Sequence, residues 1–107
     1  MQQITPEQLA QWLADSGRPR PTLLDVREPW EFDLCRIDGS QPMPMATVPN
    51  RLDELDLEAD IVVICHHGAR SFQVAMFLEQ RGFPHLHNLS GGVAAWARSV
   101  DPAMPTY

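Results

Sequence analysis

Ile61-Val62-Val63-Ile64-Cys65-His66-His67-Gly68-Ala69-Arg70-Ser71 decides how this chain is read. Four consecutive β-branched apolar residues predict a strand buried on both faces. At Cys65 the run turns polar, and Gly68 marks a turn. Phe72 to Arg81 contains neither Gly nor Pro and reads as a helix. A cysteine therefore leaves the carboxyl end of a buried strand, and a short loop leads into a helix N-terminus. Free backbone N–H groups and a helix dipole worth about half a positive charge make such a place attractive to anions. A thiol there is expected to ionise more readily than an ordinary cysteine, and the thiolate is the nucleophile. Arg70 adds a full positive charge and a planar fork of donors matched to oxyanions. The plainer alternative is a core cysteine beside polar loop residues, since free cysteines are commonly buried. Strand, cysteine, turn, arginine and helix in one stretch weigh against it.

Outward from this stretch, strand and helix signals alternate. Thr22 to Arg27 reads as a second strand ending in charge. Asp25 and Arg27 are two apart and share a side if the strand persists that far. In α/β sheets the carboxyl ends of strands line the ligand crevice. Glu28 to Leu34 reads as a short helix, with Glu28 and Glu31 near its favourable N-terminal end. Earlier, Thr5, Pro6 and Gln8 form a capping-box start for a helix whose Leu9, Trp12 and Leu13 make one apolar face. Gln2 to Ile4 is an expected edge strand, and Met43-Pro44-Met45 another. Val48, Leu52 and Leu55 recur at i, i+4, i+7 and predict a short amphipathic helix, with Pro49 near its start. The helix from Arg70 onward is apolar nearly all round, so deep burial is expected. Gly82 is its predicted C′ cap, with Pro84 blocking continuation. His85 to Leu89 reads as the final strand in sequence. Ser90-Gly91-Gly92 turns into a helix carrying Val93, Trp96, Ala97 and Val100 on one face, and Pro102 to Tyr107 reads as a tail. The expected architecture is a three-layer α/β fold, one domain over residues 1–107, with a mainly parallel sheet of about five strands between helices.

Composition narrows the function classes. The net charge of −6 argues against a nucleic-acid binder, which carries a basic face. No apolar run approaches the ~20 residues that span a bilayer, so no membrane role is expected. Met1-Gln2-Gln3-Ile4 has no basic or apolar signal region. Cys35 and Cys65 form no Cys-x-x-Cys motif, and a reactive free thiol fits a reducing, cytoplasmic setting. Cys35 reads as structural, because it lies outside any strand-to-helix turn and only Arg36 is cationic beside it. His66, His67, His85 and His87 show no zinc-type spacing, and no metal is expected.

Cys65-x4-Arg70-Ser71 resembles the active-site loop of the rhodanese family of sulfurtransferases. Asp25-Val26-Arg27-Glu28-Pro29-Trp30-Glu31-Phe32 resembles that family's Asp-Val-Arg segment, and Gly91-Gly92-Val93-Ala94-Ala95-Trp96 its closing Gly-Gly-x-x-x-Trp. Cys35-Arg36-Ile37-Asp38-Gly39-Ser40 departs from the family's Gly-His-Ile-x-Gly-Ala at its first two positions. The likeness covers nearly the whole chain and implies a rhodanese-like fold.

The resemblance also implies a chemistry. Cys65 would take a sulfane sulfur from thiosulfate or a persulfide donor and hold it as a persulfide. It would then pass the sulfur to cyanide in an assay or to a thiol in the cell, without a cofactor. The loop His66, His67, Gly68, Ala69 and Ser71 would cradle the persulfide. Arg70 would bind the anionic part of the donor and hold the loop. His66 and His67 either shape the entrance or are solvated loop residues. Ser71 would satisfy a free N–H in the first helical turn. Asp25 would brace the loop through Arg70 or loop amides, unless it is simply a surface ion pair. The acidic chain repels anionic donors globally, so attraction is expected from the loop amides, Arg70 and Arg27. Related phosphatases and arsenate reductases carry Cys-x5-Arg, and the shorter x4 spacing favours sulfur over phosphate. The remaining alternative is a sulfur-relay or regulatory binding module that works with a protein donor or acceptor.

Overall fold

The computed structural model describes residues 1–107. In chain order the elements are β1 (Gln2–Ile4), α1 (Pro6–Ala14), β2 (Thr22–Asp25), α2 (Pro29–Leu34) and β3 (Gln41–Pro42). Two 3-10 turns follow, Met45–Asn50 and Leu52–Glu54. The chain closes with β4 (Ile61–Ile64), α3 (Ala69–Gln80), β5 (Leu86–Leu89) and α4 (Gly92–Ser99). The sheet order is β1-β5-β4-β2-β3, and every pairing is parallel. The expected three-layer α/β architecture is therefore present, with a sheet that is wholly parallel.

The β-branched run lies at the centre of this sheet for a physical reason. A parallel sheet is covered on both faces, so its middle strand has no polar side to offer. All four β4 residues are buried. Their alternation sorts them between two cores. Val62 and Ile64 pack with Leu9 and Trp12 of α1 and Val93 and Trp96 of α4. Ile61, Val63 and Cys65 pack with Val74, Ala75 and Leu78 of α3. No helix is long and apolar enough to cross a membrane.

Local chemistry sets several boundaries as the sequence predicts. Gln8 N–H donates to Thr5 Oγ1 (3.1 Å) and Thr5 N–H donates back to Gln8 Oε1 (2.9 Å), completing the capping box. At the end of α3, Phe83 N–H reaches the Leu78 carbonyl (3.2 Å) and Gly82 N–H the Glu79 carbonyl (3.1 Å). That pair of bonds is a Schellman motif around Gly82, whose φ is +92°.

Four expectations shift. The third strand pairs at Gln41–Pro42, not Met43 to Met45. Pro42 and Pro44 have no N–H, so Met43 and Met45 supply the donors, to the carbonyls of Asp25 (2.8 Å) and Val26 (2.9 Å). The predicted amphipathic helix around Val48 is two 3-10 turns, because Pro49 falls inside it and cannot support α-type bonding. Helix α3 is buried on one side only. Val74, Ala75 and Leu78 face the sheet, while Phe72 and Met76 are 38% and 43% exposed, since no element covers the outer side. Finally, residues 102–107 are not a free tail: Met104 is buried in the α1–α4 core, and Tyr107 reaches both Glu31 of α2 and His66 in the loop after β4.

The loop after β4 is fastened from behind by α4. Val93 and Ala94 donate their N–H groups to the carbonyls of Cys65 (2.9 Å) and His66 (3.1 Å). This approach requires glycine at position 92, where φ is +60° and a Cβ would stand 2.3 Å from both carbonyl oxygens. Gly82 has the same kind of φ but open space around it. Gly92→Ala is therefore expected to cost about 3 kcal/mol or more, combining a backbone penalty with overpacking. Gly82→Ala should cost only about 1 kcal/mol, the backbone penalty alone. Urea unfolding of the two variants checks the ranking, and equal losses would contradict it.

Candidate functional site

Strand alternation sends Cys65 to the α3 side, where it is 1% exposed. Gly68 N–H donates to its sulfur at 3.0 Å, and Ser71 Oγ lies 3.2 Å away. The Ser71 hydroxyl donates to Asn88 Oδ1, and Asn88 Nδ2 donates to the Gly68 carbonyl (3.2 Å) and to Gln3 Oε1 (3.1 Å). Cys65, Ser71, Asn88 and Gly68 thus form a closed ring of polar contacts around the sulfur. Ser71 does not cap a free N–H as expected. The helix begins at Ala69, which turns the Ser71 side chain inward to full burial.

Arg70 points elsewhere. Its Nη1 and Nη2 donate to Glu31 Oε1 (2.7 Å) and Oε2 (2.9 Å), a bidentate pair across from α2. The buried Glu31 carboxylate also accepts Glu28 N–H (2.9 Å) and the Tyr107 hydroxyl (2.6 Å). The Arg70 hydrogen bond is the main cause that holds Glu31 at about 2, far below the usual carboxylate range. Burial first, and then the bond to Glu31, push Tyr107 up to about 12.

Asp25 touches neither Arg70 nor a loop amide. Its carboxylate belongs to Arg27, which donates Nε to Oδ1 (2.9 Å) and Nη2 to Oδ2 (2.8 Å). Nor is this a surface ion pair, since the two side chains are 1% and 0% exposed. Two residues apart at a strand end, Asp25 finds Arg27 first, while α2 carries Glu31 to Arg70. Arg27 also donates to the carbonyls of Glu31 (3.2 Å) and Cys35 (2.6 Å) and to the Tyr107 hydroxyl (3.0 Å). Fully engaged and buried, it is not free to attract a donor. It also lies against the thiol of Cys35, with Nη1 3.8 Å from the sulfur. Both cysteines are free.

The two loop histidines stack on each other, ring centres 3.8 Å apart, and His66 stacks in turn on Tyr107 at 3.9 Å. Burial, and then His67, push the His66 pKa below its ordinary value. A cleft of about 260 Å³ opens beside this stack, lined by Cys35, His66, His67, Val93, Ala94 and Tyr107 among others. Ala69 is exposed on the rim of the loop.

Three side chains of this site escaped the sequence reading: Glu31, Asn88 and Tyr107. Glu31 was visible as part of the Asp-Val-Arg segment but read as a partner of the helix dipole. Asn88 is the one amide in β5, between His87 and Leu89, a weak signal of a buried polar contact. Tyr107 follows a proline-rich stretch without periodicity and gave no signal.

A sequence profile described as the rhodanese-like domain matches residues 5–99. A sulfurtransferase of Allochromatium vinosum is 38% identical over 100 residues, covering 94% of this chain and 92% of that protein. The thiosulfate sulfurtransferase GlpE of Pseudomonas aeruginosa is 37% identical over 102 residues, covering 95% and 88%. The crystal structure of a rhodanese-like domain protein from Staphylococcus aureus superposes with a TM-score of 0.85 at 29% identity, covering 100% and 99%. Other curated relatives are longer, and the chain spans 26% to 30% of their length.

The Glu31 pairing sets a pH dependence. A carboxyl at about 2 when folded, against 4.5 when unpaired, contributes its stability in full above pH 4.5 and loses it as pH falls toward 2. Screening at the half-exposed Arg70 limits this to on the order of 2 kcal/mol. Glu31→Gln is expected to lose about that much at neutral pH and to show a flatter stability profile through the acid window. Urea midpoints across that window test it; parallel profiles for variant and native protein would contradict the pairing.

Proposed function

The chain belongs to the rhodanese-like domain family, and on that premise we propose that it is a sulfurtransferase working through a persulfide on Cys65. The observation that carries the reading is the sulfur itself. It sits at the end of a buried strand, 3.0 Å from the Gly68 N–H, with Arg70 on the next turn of chain.

In the first half-reaction the Cys65 proton leaves to solvent and the thiolate attacks the outer sulfur of thiosulfate. A Cys–S bond forms as the sulfur–sulfur bond of thiosulfate breaks, and sulfite departs with the electron pair. In the second, cyanide or a thiolate attacks the outer sulfur of the persulfide, and Cys65 leaves as thiolate. Neither half needs a cofactor. The Gly68 N–H is held on the sulfur that attacks as thiolate in the first half and leaves as thiolate in the second, a donor fixed before the reaction begins. Arg70 gives one donor on each terminal nitrogen to Glu31. Three of its five N–H groups remain for the oxygens of an anionic donor. Glu31 fixes the direction in which they point. Two free cysteines suit a reducing compartment such as the cytoplasm.

Incubating the reduced protein with thiosulfate and weighing it intact tests the proposal. The expected result is a gain of one sulfur atom, removable by cyanide, in the native chain and not in Cys65→Ser. No gain, with Cys65 open to alkylation, would overturn it. Arg70→Ala is expected to raise KM for thiosulfate about tenfold or more, the loss of a charge-assisted hydrogen bond. An unchanged KM would remove Arg70 from donor binding.

A further inference from the structure

The large apolar side chains left exposed are not scattered. Five of the six, Trp30, Leu34, Phe72, Met76 and Tyr107, lie on the elements that flank the Cys65 loop. Only Leu57 lies elsewhere, in the segment that enters β4 from its opposite end.

They form one band. Leu34 and Trp30 are a helical turn apart on α2. The Trp30 ring, 61% exposed, meets Tyr107 edge-on at 5.5 Å. Tyr107 stacks on His66, and His66 on His67. Beyond His67 a shallow, mainly polar depression bridges to α3, with Ala69 and Phe72 on its lining beside His67, Gln73, Asn88 and Ser90. Met76 follows Phe72 one turn along α3. The band therefore runs from α2 across the catalytic loop to α3.

A small anion such as thiosulfate has no use for this surface. Contiguous exposed apolar area marks a protein contact, and Trp, Tyr, Phe and Met are the residues enriched in such contacts. Charge narrows the partner. Glu28 and Asp33 are exposed beside Trp30 on α2 and take no part in any ion pair. Of the two cations next to them in sequence, Arg27 is buried against Asp25, and Arg36 folds back onto the Phe32 carbonyl (3.1 Å) and ring. The chain as a whole carries −6.

We propose that this band docks a protein sulfur acceptor that presents its cysteine on a segment with apolar and cationic side chains. The proposal rests on the sulfurtransferase reading and names the acceptor of that reaction. The partner's thiolate attacks the outer sulfur of the Cys65 persulfide. The new sulfur–sulfur bond forms as that of Cys65 breaks, and Cys65 leaves as thiolate with no oxidant or reductant consumed. Cys65 is nearly inaccessible, so the acceptor must be seated before its thiol reaches the sulfur.

Two synthetic peptides of equal length test this, one with its cysteine among lysines and leucines, the other among glutamates and serines. The protein is first loaded with thiosulfate, and discharge to each peptide is followed by intact mass. The lysine–leucine peptide is expected to discharge the persulfide about tenfold faster, the scale of a single interface anchor. Trp30→Ser and Met76→Ser should erase that advantage while leaving thiosulfate loading and cyanide discharge unchanged. Equal rates for the two peptides, or an advantage that survives both substitutions, would overturn the docking surface. Calorimetric binding of the same peptides with serine replacing cysteine needs no persulfide. If thiosulfate fails to load Cys65, the sulfurtransferase reading falls, and that binding still decides the surface. Self-association of the native chain that Trp30→Ser abolishes would assign the band to a second copy and overturn the proposal.

Discussion

One buried carboxylate ties the site together. Glu31 receives Arg70 from the first turn of α3, Tyr107 from the C-terminal segment and the N–H of Glu28 from the start of its own helix. Taking a carboxylate out of water is costly unless donors replace its hydration. Here two charged donors, a hydroxyl and an amide do so. The same arrangement joins three segments far apart in the chain. Tyr107 extends it further, because its hydroxyl also accepts from Arg27, which holds Asp25. Two ion pairs on neighbouring segments thus share a phenol: removing Asp25 would leave the buried Arg27 guanidinium without its carboxylate, and removing Glu31 would take the acceptor from both Arg70 and the Tyr107 hydroxyl.

The loop around Cys65 is held from two directions. Its backbone is fastened by the first amides of α4, which take the carbonyls of Cys65 and His66. Its far side is held by side chains, through Ser71 and Asn88 back to the Gly68 carbonyl. These restraints leave the Gly68 N–H aimed at the sulfur. Donors positioned in advance need no reorganisation as charge develops. The stack of His67, His66 and Tyr107 crosses this same loop.

Most of the fold was legible because its signals are local. Ile61–Ile64 has no polar residue to spare for a wet face, and that alone places it mid-sheet. Thr5, Pro6 and Gln8 name a helix start, and Gly82 with Pro84 names an end. Errors fell where a proline or a neighbour overrode the pattern. Pro49 turned an expected α-helix into 3-10 turns, and the missing layer over α3 left Phe72 and Met76 in solvent. At the site, the sequence brought Cys65, Gly68 and Ser71 together through spacing alone. It assigned Asp25 the wrong partner, because spacing cannot tell which carboxylate an adjacent helix will deliver.

The sequence by itself determined the strand, the cysteine at its end, the helix that follows and the arginine between them, since periodicity and spacing act within a few residues. The tertiary structure alone decided what surrounds them. Arg70 and Glu31 are 39 residues apart, Tyr107 and Glu31 76, and Ser71 and Asn88 17. Those meetings depend on strand order, with β5 and β2 on either side of β4, and on the anchoring of the last residues through Met104 and Tyr107. Packing sets such long-range contacts, because each apolar face must be buried against whichever element the topology brings to it.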